Sequence, residues 1–145
     1  DVPSSRSLYK NLVNLGGDRW TANVIALAFH GLTRFDQFHQ ELPVATNILA
    51  DRLKFLVAEG VLRQSAYLQR PLRYEYQLTG KGEALYPWFL ALLQWGEKWC
   101  DESGNGKPMR LTHQPCGRSL RGQVECSACG GVLKAHEVRF SLGQQ

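Results

Sequence analysis

The chain has 145 residues, 43% hydrophobic and 21% charged. That balance excludes an intrinsically disordered protein and fits one globular domain with a small appendage. The net charge is +4, but 11 basic and 11 acidic side chains cancel over residues 1–102, so the whole excess sits in residues 103–145. No window approaches the ~18 uninterrupted apolar residues of a membrane span. The opening Asp1-Val2-Pro3-Ser4-Ser5-Arg6 has no signal-peptide core. Four late cysteines do not make a secreted disulfide framework. The expectation is a cytoplasmic protein without a membrane partner.

In chain order, residues 7–15 predict a short helix with Leu8, Leu12 and Leu15 on one side. Gly16-Gly17 ends it and Asp18 caps the next helix, residues 20–29, whose inward stripe is Trp20, Val24, Leu27 and Ala28. His30-Gly31-Leu32-Thr33 is a stop and turn, and Thr33 caps a third helix over 34–41 that carries Phe35 and Phe38 inward. Pro43 breaks it. Residues 44–59 place Ile48, Leu49, Leu53, Leu56 and Val57 on one helical face, with Asn47, Asp51, Arg52 and Lys54 opposite, and Gly60 closes the helix. Residues 61–67 and 72–78 are two extended runs joined through Gln69-Arg70-Pro71, a β-hairpin. Thr79 caps a long last helix to about residue 99, with a stripe of Leu85, Trp88, Phe89, Leu92, Leu93, Trp95 and Trp99. Ser103-Gly104-Asn105-Gly106-Lys107-Pro108 then reads as a linker, which divides the chain into 1–102 and 103–145.

Short helices followed by a two-stranded hairpin are the order of a winged helix-turn-helix, a mainly α fold with a small β wing (α+β). A helix of this kind fits the major groove, ~12 Å wide, and its early residues meet base edges. Thr46 and Asn47 sit at that end of the 44–59 helix, and Arg52 and Lys54 suit phosphates. Arg70 and Arg73 flank the hairpin tip. Residues 46–81 hold Arg52, Lys54, Arg63, Arg70, Arg73 and Lys81 against Asp51, Glu59 and Glu75, a local +3. The alternative for each charge is an ordinary solvated position.

Thr33-Arg34-Phe35-Asp36-Gln37-Phe38 and Ala45-Thr46-Asn47-Ile48-Leu49-Ala50-Asp51-Arg52-Leu53-Lys54-Phe55-Leu56 resemble the HxlR family of bacterial transcriptional regulators. So do the run from Tyr67 through Thr79, the run Gly80-Lys81-Gly82-Glu83-Ala84-Leu85-Tyr86-Pro87 that follows it, and the elements Gly17-Asp18-Arg19-Trp20 and Gln94-Trp95-Gly96. Together these span residues 7–99 in order. The resemblance implies a MarR-like winged helix, a homodimer and a pseudo-palindromic double-stranded DNA operator, with no catalysis and a nucleoid-associated location. It implies that Arg34 and residues 47–54, Asp51 included, face DNA, that Arg70 and Arg73 belong to the wing, and that the first and last helices form the dimer interface. The dimer residues are then Leu8, Leu12, Trp88, Phe89, Leu92, Trp95 and Trp99, and their aromatic seam would suit a small apolar effector. Redox-sensing members carry a cysteine near the position of Ser7. Here no cysteine precedes Cys100, so thiol sensing at that position is not expected.

The tail carries His113-x2-Cys116 and Cys126-x2-Cys129, each ending in Cys-Gly. This spacing predicts a ribbon-like β extension able to hold a structural zinc with three cysteines and one histidine, because four protein ligands leave no open position. His136 could replace His113. A metal-free hairpin with free thiols, or with a Cys126–Cys129 disulfide, is the open alternative. The competing function is a winged-helix protein-interaction module or a redox- or effector-responsive scaffold. Neither a catalytic triad nor paired carboxylates nor a phosphate loop is present in the sequence.

Overall fold

The computed structural model describes residue 10 and residues 18–100, 110–139 and 141. The expected 7–15 helix, with Leu8 and Leu12, lies outside the described residues apart from Lys10. The chain forms two compact units, 2–86 and 87–145. The 103–108 linker falls within residues 101–109, also outside those described.

The first unit contains α1 (Arg19–Phe29), α2 (Phe35–Glu41), α3 (Thr46–Ala58), β1 (Leu62–Gln69), β2 (Leu72–Leu78) and a single turn, α4 (Gly80–Glu83). Asp18 caps α1 as expected: its carboxylate accepts from the Trp20 and Thr21 amides at 2.7 and 3.3 Å. Helix α2 is capped differently from the expectation. Its N-cap is Arg34, and the Gln37 side chain reaches back to accept from the Thr33 and Arg34 amides, both at 3.0 Å. The amide side chain of the third helical residue thus satisfies the amides just before the helix, the reciprocal half of a capping box, and not the first-turn amides a Thr33 hydroxyl would have taken. Helix α3 ends where Gly60 N–H bonds Val57 O and Val61 N–H bonds Leu56 O.

The core gathers Val24, Ile25 and Ala28 from α1, Phe38 from α2, Leu49, Leu53 and Leu56 from α3, and Leu42, Val61 and Leu62 from the connections and β1. Full burial of each large side chain contributes about 1.5–3 kcal/mol. Leu49, Leu53 and Leu56 recur at helical spacing, so α3 is pinned by one stripe and its opposite face stays in solvent.

The expected continuous helix from 79 to 99 is two helices. Thr79 does cap the first: Gly82 N–H donates to its hydroxyl at 3.1 Å, and that hydroxyl in turn bonds Gly60 O and Val61 O. The helix then breaks after Glu83 and resumes as α5 (Tyr86–Trp99). The reason is Pro87, whose ring in a continuous helix would strike the carbonyl of residue 83 and remove a hydrogen bond, whereas in the first turn of a new helix it costs nothing. Gly82 is fixed by close approach: a Cβ there would stand 2.3 Å from Val61 O.

The second unit holds most of α5 and the tail. In the tail, β3 (Thr112–His113) pairs antiparallel with β4 (Arg118–Ser119), and Glu125 bridges Val132. The Gln94 side chain on α5 clamps Gly122: it accepts from Gly122 N at 2.7 Å and donates to Gly122 O at 3.1 Å. Among the described residues no helix is long and apolar enough to cross a membrane.

Candidate nucleic-acid interface

Helix α3 presents Thr46, Asn47, Ala50, Asp51 and Lys54 to solvent, opposite its buried leucines. Thr46 and Asn47 open the helix, so short polar side chains stand where a groove-inserted helix meets base edges. Ile48, expected inward, is 36% exposed at the same end.

Arg52 is committed elsewhere. Its Nε lies 2.5 Å from an Asp18 carboxylate oxygen, and its Nη1 donates to Asp51 at 2.8 Å. The Nε makes no directed hydrogen bond, so the Asp18 contact is an ion pair whose N–H points off the line to oxygen. Asp18 thereby joins the start of α1 to the middle of α3. Arg52, expected at a phosphate, is paired in the structure with Asp18 and Asp51, and these contacts brace α3. Lys81 is likewise engaged: its Nζ donates to Glu59 O at 2.6 Å, at the C-terminal end of α3. Thirteen helical residues at 1.5 Å each put that end about 20 Å from Thr46, at the opposite end of the helix from the expected base contacts.

The wing is β1 paired with β2, from Leu62↔Leu78 to Gln69↔Leu72, and Arg70 and Pro71, joined by a cis peptide bond, form its tip. Arg70 and Arg73 are both exposed there. Arg63 faces Gln77 across the strands and donates to its side-chain oxygen from Nε at 3.2 Å and from Nη2 at 2.8 Å. The register slips between Ala66 and Leu68, which leaves Tyr67 as a bulged residue. Bulges re-aim side chains, and the Tyr67 ring stacks under the Arg34 guanidinium at 4.2 Å.

Arg34 also pairs with Glu75 as a short antiparallel bridge, and Tyr76 N–H donates to Thr33 O at 2.6 Å. The residues before α2 therefore form a third edge on the wing. Burial first, then neighbouring Tyr74, pushes the Tyr76 phenol above its ordinary value. Between α2 and the wing lies an open recess of about 480 Å³, walled largely by Phe35, Tyr67, Tyr74 and Tyr76. Nothing in the sequence pointed to the Arg34–Tyr67 stack, because the partners meet only when the wing folds back.

Of the expected dimer residues, Trp88, Leu92, Trp95 and Trp99 are exposed, Trp95 at 56% and Trp99 at 67%, and Phe89 is half-buried. In the tail, His113 Nδ1 and Cys116 Sγ lie 3.4 Å apart. The Cys129 amide, then the Ala128 amide and the Cys129 thiol, hold the Cys126 thiol below its ordinary value. All four cysteines are free. The structure brings the four expected ligands together as two pairs: among the described residues no three His, Cys, Asp or Glu side chains form one metal-sized group.

The HxlR-like helix-turn-helix family model matches residues 15–104. The HTH-type transcriptional regulator Rv3095 of Mycobacterium tuberculosis is 33% identical over 126 residues, 87% of this chain and 79% of that protein. The crystal structure of the transcription factor PA1607 superposes with a TM-score of 0.75 at 37% identity, covering 90% of each chain. The redox regulator HypR in its reduced form superposes with a TM-score of 0.59 at 29% identity, over 66% of this chain and 94% of that one. With a helix-turn-helix, a stitched wing and these relatives in agreement, the chain belongs to the HxlR-like helix-turn-helix family of transcriptional regulators.

Proposed function

We propose that the protein regulates transcription as a homodimer that places two copies of α3 in successive major grooves of a pseudo-palindromic operator. Thr46 and Asn47 read base edges, with Asn47 bridging an adenine. Lys54, Arg70 and Arg73 take phosphates on either side, and Arg34 supports the wing along its middle. Regulation is by occupancy and no catalytic step is involved.

The observation that carries this reading is the split of α3 into a buried leucine stripe and an exposed polar face that opens on Thr46 and Asn47. The dimer rests on α5, where Leu92, Trp95 and Trp99 are at least half exposed. So much aromatic surface on one helix fits a partner helix better than water. A small apolar effector in that seam would alter the spacing of the two reading helices.

Selection of bound sites from random DNA tests the reading. The expected product is a two-fold symmetric site with half-sites about 10 base pairs, or one helical turn, apart. Enrichment of no motif, or of an asymmetric one bound by a single copy, would overturn it.

A further inference from the structure

The tail, residues 110–139, has an ordered shape without a core: none of its described residues is buried, and Val124, Val132, Leu133 and Val138 are all exposed. A segment this small cannot hold itself by apolar burial alone and relies on a disulfide, a metal or a surface to dock on, of which the α5 clamp at Gly122 supplies only one anchor. Two copies of one local design lie within it. In the first, Cys116 N–H and Gly117 N–H both donate to His113 O, at 3.2 and 2.7 Å. In the second, Gly130 N–H donates to Cys126 O at 2.8 Å, and Gly131 N–H points at Cys129 Sγ at 3.4 Å.

Both turns close on a glycine of positive φ, Gly117 at 69° and Gly130 at 75°. A side chain would be strained in that conformation, and it is what turns amide protons toward sulfur. Each knuckle sits on its own short antiparallel pairing, His113↔Arg118 in the first and Glu125↔Val132 in the second.

The first pair already stands at a separation that either a thiol–imidazole hydrogen bond or a shared metal gives. With Zn–S near 2.3 Å and Zn–N near 2.0–2.1 Å, neighbouring ligand atoms on a tetrahedral ion stand about 3.5 Å apart. His113 Nδ1 and Cys116 Sγ are at 3.4 Å.

We propose that the two knuckles form one structural zinc site, with His113, Cys116, Cys126 and Cys129 as its ligands. Because the pairs are not gathered into one group, the knuckles must draw together on the ion, turning about the 120–125 connection. Gly122 lies in that connection and is gripped by Gln94, so the closed ribbon is anchored to α5. Four protein ligands leave no coordination position for chemistry. On binding, each thiol gives up its proton to solvent and the ion is held by three thiolates and one neutral imidazole.

The test uses the full chain, purified reduced and without chelator. Elemental analysis should find about one zinc per chain, and a mercurial reagent should release one zinc for three thiols, Cys100 titrating apart. Cobalt in place of zinc should show the visible bands of a tetrahedral thiolate site. Cys116→Ser and Cys126→Ser should each abolish tight binding of zinc, one from each knuckle, while far-ultraviolet circular dichroism reports that α1–α3 persist. A chain free of zinc with four reactive thiols overturns the proposal. So does a Cys126–Cys129 disulfide in the freshly isolated protein, half an ion per chain, or tight zinc retained by either variant.

Discussion

Arg52 looks like a phosphate ligand by sequence and a brace by structure, and the two roles separate cleanly in solution. Arg52→Ala removes the ion pair to Asp18 and the bond to Asp51. The Asp18 carboxylate keeps its cap bonds to the Trp20 and Thr21 amides. Exposed ion pairs contribute about 0.2–1 kcal/mol each. Arg52 is partly sheltered, with its side chain 30% exposed, so the upper half of that range applies and the loss is about 1 kcal/mol. For a domain of this size that lowers Tm by about 4–8 °C. Asp18→Asn should cost a similar amount and be non-additive with Arg52→Ala, because both delete the same pair. Asp18→Ala should cost about 1 kcal/mol more, through the lost cap.

The DNA readout is the salt dependence of binding, measured by anisotropy on the selected operator. Each phosphate contact contributes about 0.9 to the slope of log K against log salt. Arg73→Ala should reduce the slope by about that amount per half-site, and Arg52→Ala should leave it unchanged. If Arg52→Ala flattens the slope as Arg73→Ala does and leaves Tm where it was, the brace is refuted and the residue is a phosphate ligand.

Asn47→Ala should weaken operator binding by about 1–3 kcal/mol per half-site, roughly 5- to 150-fold, and relax the preference for one base, with Tm unchanged; titration of single-base operator variants reads it. Gly82→Ala should cost about 1–3 kcal/mol in thermal melting, because its Cβ would meet Val61 O at 2.3 Å and force β1 and α4 apart. Trp95→Glu on the exposed face of α5 should move the sedimentation coefficient from a dimer to a single chain, and a variant that stays dimeric would remove α5 from the proposed interface.

Much of this was legible in the sequence. The three-helix order and the hairpin followed from apolar spacing and turn residues, and the stripe of Leu49, Leu53 and Leu56 fixed which side of α3 faces out. The helix break at residues 84–85 was legible in principle from Pro87, but a strongly apolar stripe on both sides of it favoured one long helix. The Gln37 cap could have been read from its spacing to Arg34. The Arg52–Asp18 pair could not, since the partners stand on different helices and each has an ordinary local explanation. The same holds for Gln94 and Gly122, whose bonds depend on where the tail folds back. Local rules see one element at a time, and the residues that brace one element to another carry no periodic signature.

The stitch at Thr33 and Arg34 has a mechanical consequence. With Tyr76 N–H on Thr33 O, the Arg34–Glu75 bridge and the Arg34–Tyr67 stack spread along its length, the wing is not a free flap. It is one arm of a lever whose other arm is α2, the helix lying directly before α3. In the proposed DNA complex, pressure from the DNA flank on the tip at Arg70 would be delivered to the support of α3, and operator stiffness would enter recognition beside base identity. Arg34→Ala loosens the fulcrum, so it should widen the range of half-site spacings bound in a spacer-length series while leaving the preferred half-site the same.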